Sequence, residues 1–228
     1  MLLCSRSEEA VAGIADRLAR QYGVNAVSMR ADVSDPNAIA GLRQAAEREF
    51  GRVDALLCNA GGPPAGTLLS LTDDDWEHSF RTNVMSVVRL VREFYPLLKS
   101  SQGRVLTVAS SSVKVPIPGL ILSNTMRAGL SGLMKTLSQE LGPDGILLNT
   151  ICPGRIATDR LDELDHARAA REGRSVEQLR ADLVKEIPLG RYGRPEELGA
   201  FAAFLLSPSN SYMTGSVYYI DGGMVKAL

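Results

Sequence analysis

The chain has 228 residues, 45% of them hydrophobic and 22% charged, with a formal net charge of −1. That length fits one large α/β domain better than two small ones, and it suffices to bury a substantial core. Near-neutral charge excludes the basic surface that nucleic acid or an anionic membrane would require, and no apolar run approaches the ~18 residues of a membrane helix.

Short apolar runs alternate with helical patterns along the chain. Leu2-Leu3-Cys4 reads as a buried strand. Ser7 can cap a helix carrying Val11, Ile14, Leu18 and Ala19, closed by Gly23. Ala26 to Met29 is the next strand, and Ser34 or Asp35 before Pro36 opens a second helix that ends at Gly51. Val53 to Cys58 is too apolar to be solvated on either face, which predicts a parallel sheet covered on both sides. Thr72 with Asp75 forms a capping box at the head of a long helix towards Leu98.

Arg104 to Ala109 and Ile146 to Ile151 are further strands, with a helix between them from about Ser123 to Leu141. A helix starting at Pro195 runs to Leu206, and Ser216 to Ile220 is the last strand. Strands separated by helices of this length predict βαβ crossovers and a Rossmann-like, doubly wound α/β domain spanning residues 1–228. The polar stretch Asp159 to Glu186 reads as an insertion over the carboxyl edge of the sheet, where substrates sit in such folds. Cys4, Cys58 and Cys152 are odd in number and lack C-x-x-C spacing. Disulfides and zinc are therefore disfavoured, and a cytoplasmic protein is expected. The opening Met1 to Arg6 shows no signal-peptide pattern. His78 and His166 are the only histidines, and both read as helix-surface residues.

Several motifs in this order resemble the short-chain dehydrogenase/reductase family, in particular its 3-oxoacyl-carrier-protein-reductase-like branch. Cys58-Asn59-Ala60-Gly61 is similar to the family's N-N-A-G turn, and Asn83 sits where the family has a helix asparagine. Ser110 follows a strand as the family's catalytic serine does. Asn149, Pro153, Gly154, Ile156 and Thr158 lie in a segment matching N-x-x-x-P-G-x-x-x-T, which runs along the nicotinamide in the family. Thr214-Gly215 and Asp221-Gly222-Gly223 match its C-terminal pattern.

Two departures accompany the match. The family's first βα unit, with its glycine-rich pyrophosphate loop, has no counterpart, and Leu2 to Cys4 aligns with the second strand. Because strand order 3-2-1-4-5-6 puts the first strand at the centre, the expectation is a gap in the sheet, unless the remaining strands close up or a partner fills it. An incomplete gene start is the favoured explanation of that departure. The second departure is in the Y-x-x-x-K helix, where Ser123 takes the tyrosine slot and Arg127 the lysine slot.

The resemblance implies an NAD(P)-dependent oxidoreductase acting on a small carbonyl or alcohol, impaired or atypical in its chemistry. Ser110, Ser123, Arg127 and Asn83 would line its reactive centre. A serine alcohol is far too weak an acid to replace a phenol, whereas Arg127 keeps the charge and can bind ribose hydroxyls but releases no proton. Ser110 either polarises a substrate oxygen or closes the turn after its strand, and Asn83 either feeds a water chain or bonds local backbone.

Cofactor contacts would come from Arg6, Asp32, Val33, Asn59, Ala60, Gly61 and Arg127, and from Pro153, Gly154, Ile156 and Thr158. Arg6, just after the first strand, suits a 2′-phosphate and so favours NADP, with NAD possible and binding weakened without the glycine-rich loop. Asp32-Val33 is similar to the family's adenine-binding pair. No metal is expected. Homo-oligomerisation through Thr72–Leu98 and Ser123–Leu141 is implied, and the alternative is a non-catalytic binder of cofactor or of an oligomeric partner.

Overall fold

The structure, a computed structural model, describes residues 1–227. Its elements follow in chain order β1 (Leu2–Ser5), α1 (Glu8–Tyr22), β2 (Val27–Arg30), α2 (Pro36–Phe50), β3 (Ala55–Cys58), α3 (Asp73–Phe80) and α4 (Ser86–Ser101). They continue with β4 (Arg104–Val108), α5 (Ile121–Leu141), β5 (Leu147–Pro153), α6 (Asp159–Glu172), α7 (Val176–Lys185), α8 (Pro195–Leu206) and β6 (Val217–Ile220). Local chemistry sets most of these boundaries. The Ser7 hydroxyl accepts from the Ala10 N–H at the head of α1, and the Asp35 carboxylate accepts from Asn37 N–H ahead of Pro36. Gly23 and Gly51 end α1 and α2 in the left-handed conformation, which a residue with a Cβ adopts only at a cost. Thr72 and Asp75 cap α3 reciprocally.

The long helix expected from Thr72 to Leu98 is divided. Between α3 and α4 the backbone widens into a π turn at Arg81–Met85, and the helix then runs three residues further than expected, to Ser101. The helix expected from about Ser123 begins at Ile121, so Ser123 lies inside its first turn. The polar insertion is a hairpin of two helices, α6 and α7.

All strand pairs are parallel, but they form two blocks: β2 beside β1, and β3-β4-β5-β6. No strand bridges β1 and β3 among the described residues. The expected doubly wound sheet is thus present as two pieces, and the remaining strands have not closed up. Helices α2 and α4 hold the blocks together on one face. Leu2 and Met29 from the first block share a core with Leu56, Val105 and Leu148 from the second, beneath Ile39, Val91, Phe94 and Leu98. On the other face α8 covers only Leu106, Ile151 and their neighbours. There Leu57 of β3 is 48% exposed, and Ile14 of α1 and Phe204 of α8 are also open to solvent.

Candidate active site

The carboxyl ends of β3, β4 and β5 converge on α5. Its first turns carry Ser123 and, one turn later on the same face, Arg127. Arg127 is only 7% exposed. One terminal nitrogen donates to the Val108 carbonyl at the end of β4, and the other reaches the Ala60 carbonyl after β3 at 3.5 Å. Its Nε is buried without a partner. Desolvation lowers the guanidinium pKa, yet Arg retains its charge at any physiological pH. Arg127 therefore ties two strand ends together and leaves its Nε–H unspent.

Ser110 follows β4 and caps the short 3₁₀ turn Ser111–Val113, against which α5 packs. Its hydroxyl oxygen accepts from the Ser112 N–H at 3.1 Å, so the turn-closing role is present while the hydroxyl hydrogen remains free to donate. The Ser110 backbone also touches the Cys152 thiol, whose pKa burial pushes up to about 11 against the opposing pull of Ser110 and Arg127. Asn83 is buried in the π turn; its Nδ2 donates to the Ser79 carbonyl at 3.1 Å and its Oδ1 has no partner. π turns of this kind recur at functional sites because they shift a side chain off the regular helical register.

The β5 exit holds the other expected contacts. Gly154 is required by close approach, since a Cβ there would lie 2.6 Å from the Asp221 side chain. Ile156 is buried and its backbone bridges to Gly193. Thr158 caps α6, its oxygen accepting from the Leu161 N–H. Pro153 ends β5, whereas Asn59 and Gly61 are exposed and a Cβ at Gly61 would meet open space. In the smaller block, Arg6 follows β1, and Asp32 and Val33 follow β2. Asp32 accepts from the Ser34 N–H, which with nearby Arg6 holds its carboxyl below the usual range. The structure so groups Ser110, Ser123, Arg127 and Ala60 at one place, and Arg6 with Asp32 at another.

The residues that the sequence did not single out lie in the α6–α7 hairpin and its surroundings. Asp165 is 1% exposed and accepts from Arg155 Nη1 at 2.9 Å, Tyr192 OH at 3.0 Å and Arg180 Nε at 3.2 Å. Tyr192 packs against the hairpin's apolar core and also donates to this carboxylate, and burial pushes its phenol pKa up. Nothing in the charged run 159–172 distinguishes a buried acid from a solvated one, so this cluster had no sequence signal. Tyr212 is 97% exposed. His78 and His166 are exposed on α3 and α6 as expected. Among the described residues no group of three or more His, Cys, Asp or Glu side chains is placed to hold a metal ion, and no helix is long and apolar enough to cross a membrane.

Comparison with known proteins follows the same lines. The family described as enoyl-(acyl carrier protein) reductase matches residues 1–225. The 3-oxoacyl-[acyl-carrier-protein] reductase FabG of Salmonella typhimurium is 32% identical over 219 residues, covering 96% of this chain and 84% of that protein. L-Sorbose reductase from Gluconobacter frateurii, solved with NADPH and L-sorbose, superposes with a TM-score of 0.93 at 29% identity over 100% of this chain and 87% of its own. An NADPH-bound short-chain oxidoreductase from Pseudomonas aeruginosa, described as containing an atypical catalytic center, gives a TM-score of 0.90 at 28% identity, with the same coverage. With its parallel α/β architecture and a match over nearly its whole length, the chain belongs to the short-chain dehydrogenase/reductase family of oxidoreductases.

Proposed function

We propose that this chain is an NADPH-dependent reductase of small carbonyl compounds, working with a reactive centre built from an arginine and two serines. The observation that carries the reading is Arg127: a buried cation one turn from Ser123, seated where β3 and β4 end and beside Ser110. A bound nicotinamide dinucleotide supplies hydride; the side chains must bind the carbonyl and deal with the negative charge that develops on its oxygen. The free hydroxyl hydrogen of Ser110 and that of Ser123 can donate to that oxygen, and the Arg127 charge stabilises it in a site with few competing waters.

The donor set fits the two ends of such a cofactor. Ala60, Pro153, Gly154, Ile156 and Thr158 would flank the nicotinamide end, with Asn59 and Gly61 at its rim and the unspent Nε of Arg127 available to it. Arg6 suits a 2′-phosphate, with Asp32 and Val33 beside the adenine. Just after Arg6, the first turn of α1 presents Glu8 and Glu9, a poor surface for a pyrophosphate. Cofactor grip is therefore expected to be weaker than in relatives with a glycine-rich loop. Proton delivery is weak as well: Cys152 titrates near 11, and neither serine is an acid near neutrality.

A homo-oligomer is supported by α4 and α5, whose outer faces form a groove of Val88, Tyr95, Leu133 and Leu137 beside exposed Gly129 and part-exposed Gly132. A second copy would cover it, in a dimer or tetramer located in the cytoplasm. A second reading, a non-catalytic binder, is favoured by one observation: Arg127 spends two donors on backbone carbonyls, and Ser110 its acceptor on a turn.

Titration with NADPH, followed by nicotinamide absorbance with a panel of ketones, separates the two readings. Saturable binding with turnover supports the reductase, and Ser123→Tyr with Arg127→Lys should raise the rate ~10²–10⁴-fold by restoring an acid. Saturable binding without turnover in either form supports the binder. No binding at all sinks both.

A further inference from the structure

We infer that Asp165 is the pin of a substrate lid, a positioning residue that holds the α6–α7 hairpin over the carboxyl edge of the sheet and so sets substrate affinity. This rests on the reductase reading for what the lid covers, but not for the pin itself.

The hairpin has little apolar attachment of its own. Its core is Ala169, Leu179 and Leu183 with Val176 and Tyr192, and the buried residues of α6 are Asp165 and Ala169 alone. What fastens it to the domain is polar. One carboxylate oxygen of Asp165 takes Arg155, which lies in the β5 exit between Gly154 and Ile156; the other takes Tyr192 and Arg180. The Arg155 guanidinium lies over the Tyr192 ring, and its carbonyl accepts from the Gly193 N–H, so both partners belong to one rigid clasp. Arg180 ties α7 to α6 a second time through Asp162. A single carboxylate thus joins α6, α7, the β5 exit and the Tyr192 loop.

The hairpin also reaches the mouth of the candidate site. Near the start of α6, Arg160 donates to the Pro63 carbonyl in the loop after β3. Near its end, the Arg171 guanidinium rests against Gly119, in the loop that precedes α5. Both outer contacts involve exposed side chains, where hydrogen bonds to water compete. Asp165, shielded from water, is the contact that decides whether the hairpin stays down.

Asp165→Asn keeps the shape and removes the charge. Hydrogen exchange of amides in α6 and α7 should accelerate about tenfold or more while those of β4 and β5 stay unchanged. KM for a carbonyl substrate should rise by about tenfold, with kcat changed less than about threefold and NADPH affinity unaltered. Tyr192→Phe removes one donor and leaves both arginines in place, so it should shift the same readouts in the same direction by less; it decides the matter if Asp165→Asn does not fold. Unchanged exchange in α6–α7, or equal acceleration across β4 and β5, overturns the pin. Accelerated hairpin exchange without substrate turnover in the parent protein upholds the pin and sinks the reductase reading instead.

Discussion

The two sheet blocks follow the same parallel pairing rule but differ in what covers them. In the four-stranded block, Val105, Leu106, Leu148, Ile151 and Cys152 are at most 1% exposed, packed between helices on both faces. In the β1–β2 block no strand residue is fully buried, and α1 alone lies over it on the face opposite α2. Hydrogen bonding is comparable in the two; burial is not. Stability therefore resides in the larger block, and the smaller one is held mainly through the core that α2 and α4 share with it.

The sharpest way to break this comparison is to cut equivalent side chains in each block. Leu106→Ala, at 1% exposure, should cost ~2–5 kcal/mol in urea unfolding, and Leu3→Ala in β1 about 1 kcal/mol or less. Equal costs would mean that the blocks fold as one body. Hydrogen exchange gives the next largest contrast: amides of β1 and β2 should exchange roughly a hundredfold faster than those of β4 and β5 under native conditions.

The cysteines sharpen the picture further, because one lies in β1, one in β3 and one in β5. Cys4 is exposed, whereas Cys58 and Cys152 are buried, with thiols pushed up to about 12 and about 11 by desolvation. A maleimide at pH 8 should modify Cys4 at least about tenfold faster than either of the others, all three becoming equivalent in denaturant. The same shifts fix a sign with pH. From about 9 upwards the unfolded chain gives up thiol protons that the folded chain retains, so stability should fall as pH rises through the window from 9.0 to about 12.

The smallest effect is at α8, on the outer face of the larger block. Arg191 and the Arg194 N–H hold the Glu197 carboxyl down at about 2. Glu197→Gln should lower Tm slightly at pH 7, and the difference should vanish as pH falls from 4.5 towards 2, where the parent carboxylate protonates too.

Caps, turns and strand order were legible in the sequence because each rests on local chemistry. Ser7, Asp35 and the Thr72–Asp75 pair act within three residues of themselves, and the apolar run before Cys58 announces a covered parallel strand. The break in the sheet was legible for a different reason, since strand order alone puts the unbridged position at the centre. The site was read less fully. That a guanidinium at 127 would spend its donors on Val108 and Ala60 depends on how far two strand ends lie from α5, a distance no motif encodes. Asp165 sits among eight other charged or histidine side chains of α6, and only the docking of Arg155 and Tyr192 makes it interior. The π turn at Asn83 similarly leaves no mark in the helical periodicity of 73–101.

Gly154 has a practical corollary for anyone wishing to redesign this protein. With Asp221 pressed against its Cα, the floor beneath the β5 exit is set by main chain rather than by exchangeable side chains. Any larger residue there would wedge β5 from β6 before it altered selectivity. Libraries aimed at new substrates should accordingly leave that floor alone and diversify the helical hairpin, the proposed roof, whose footing is polar.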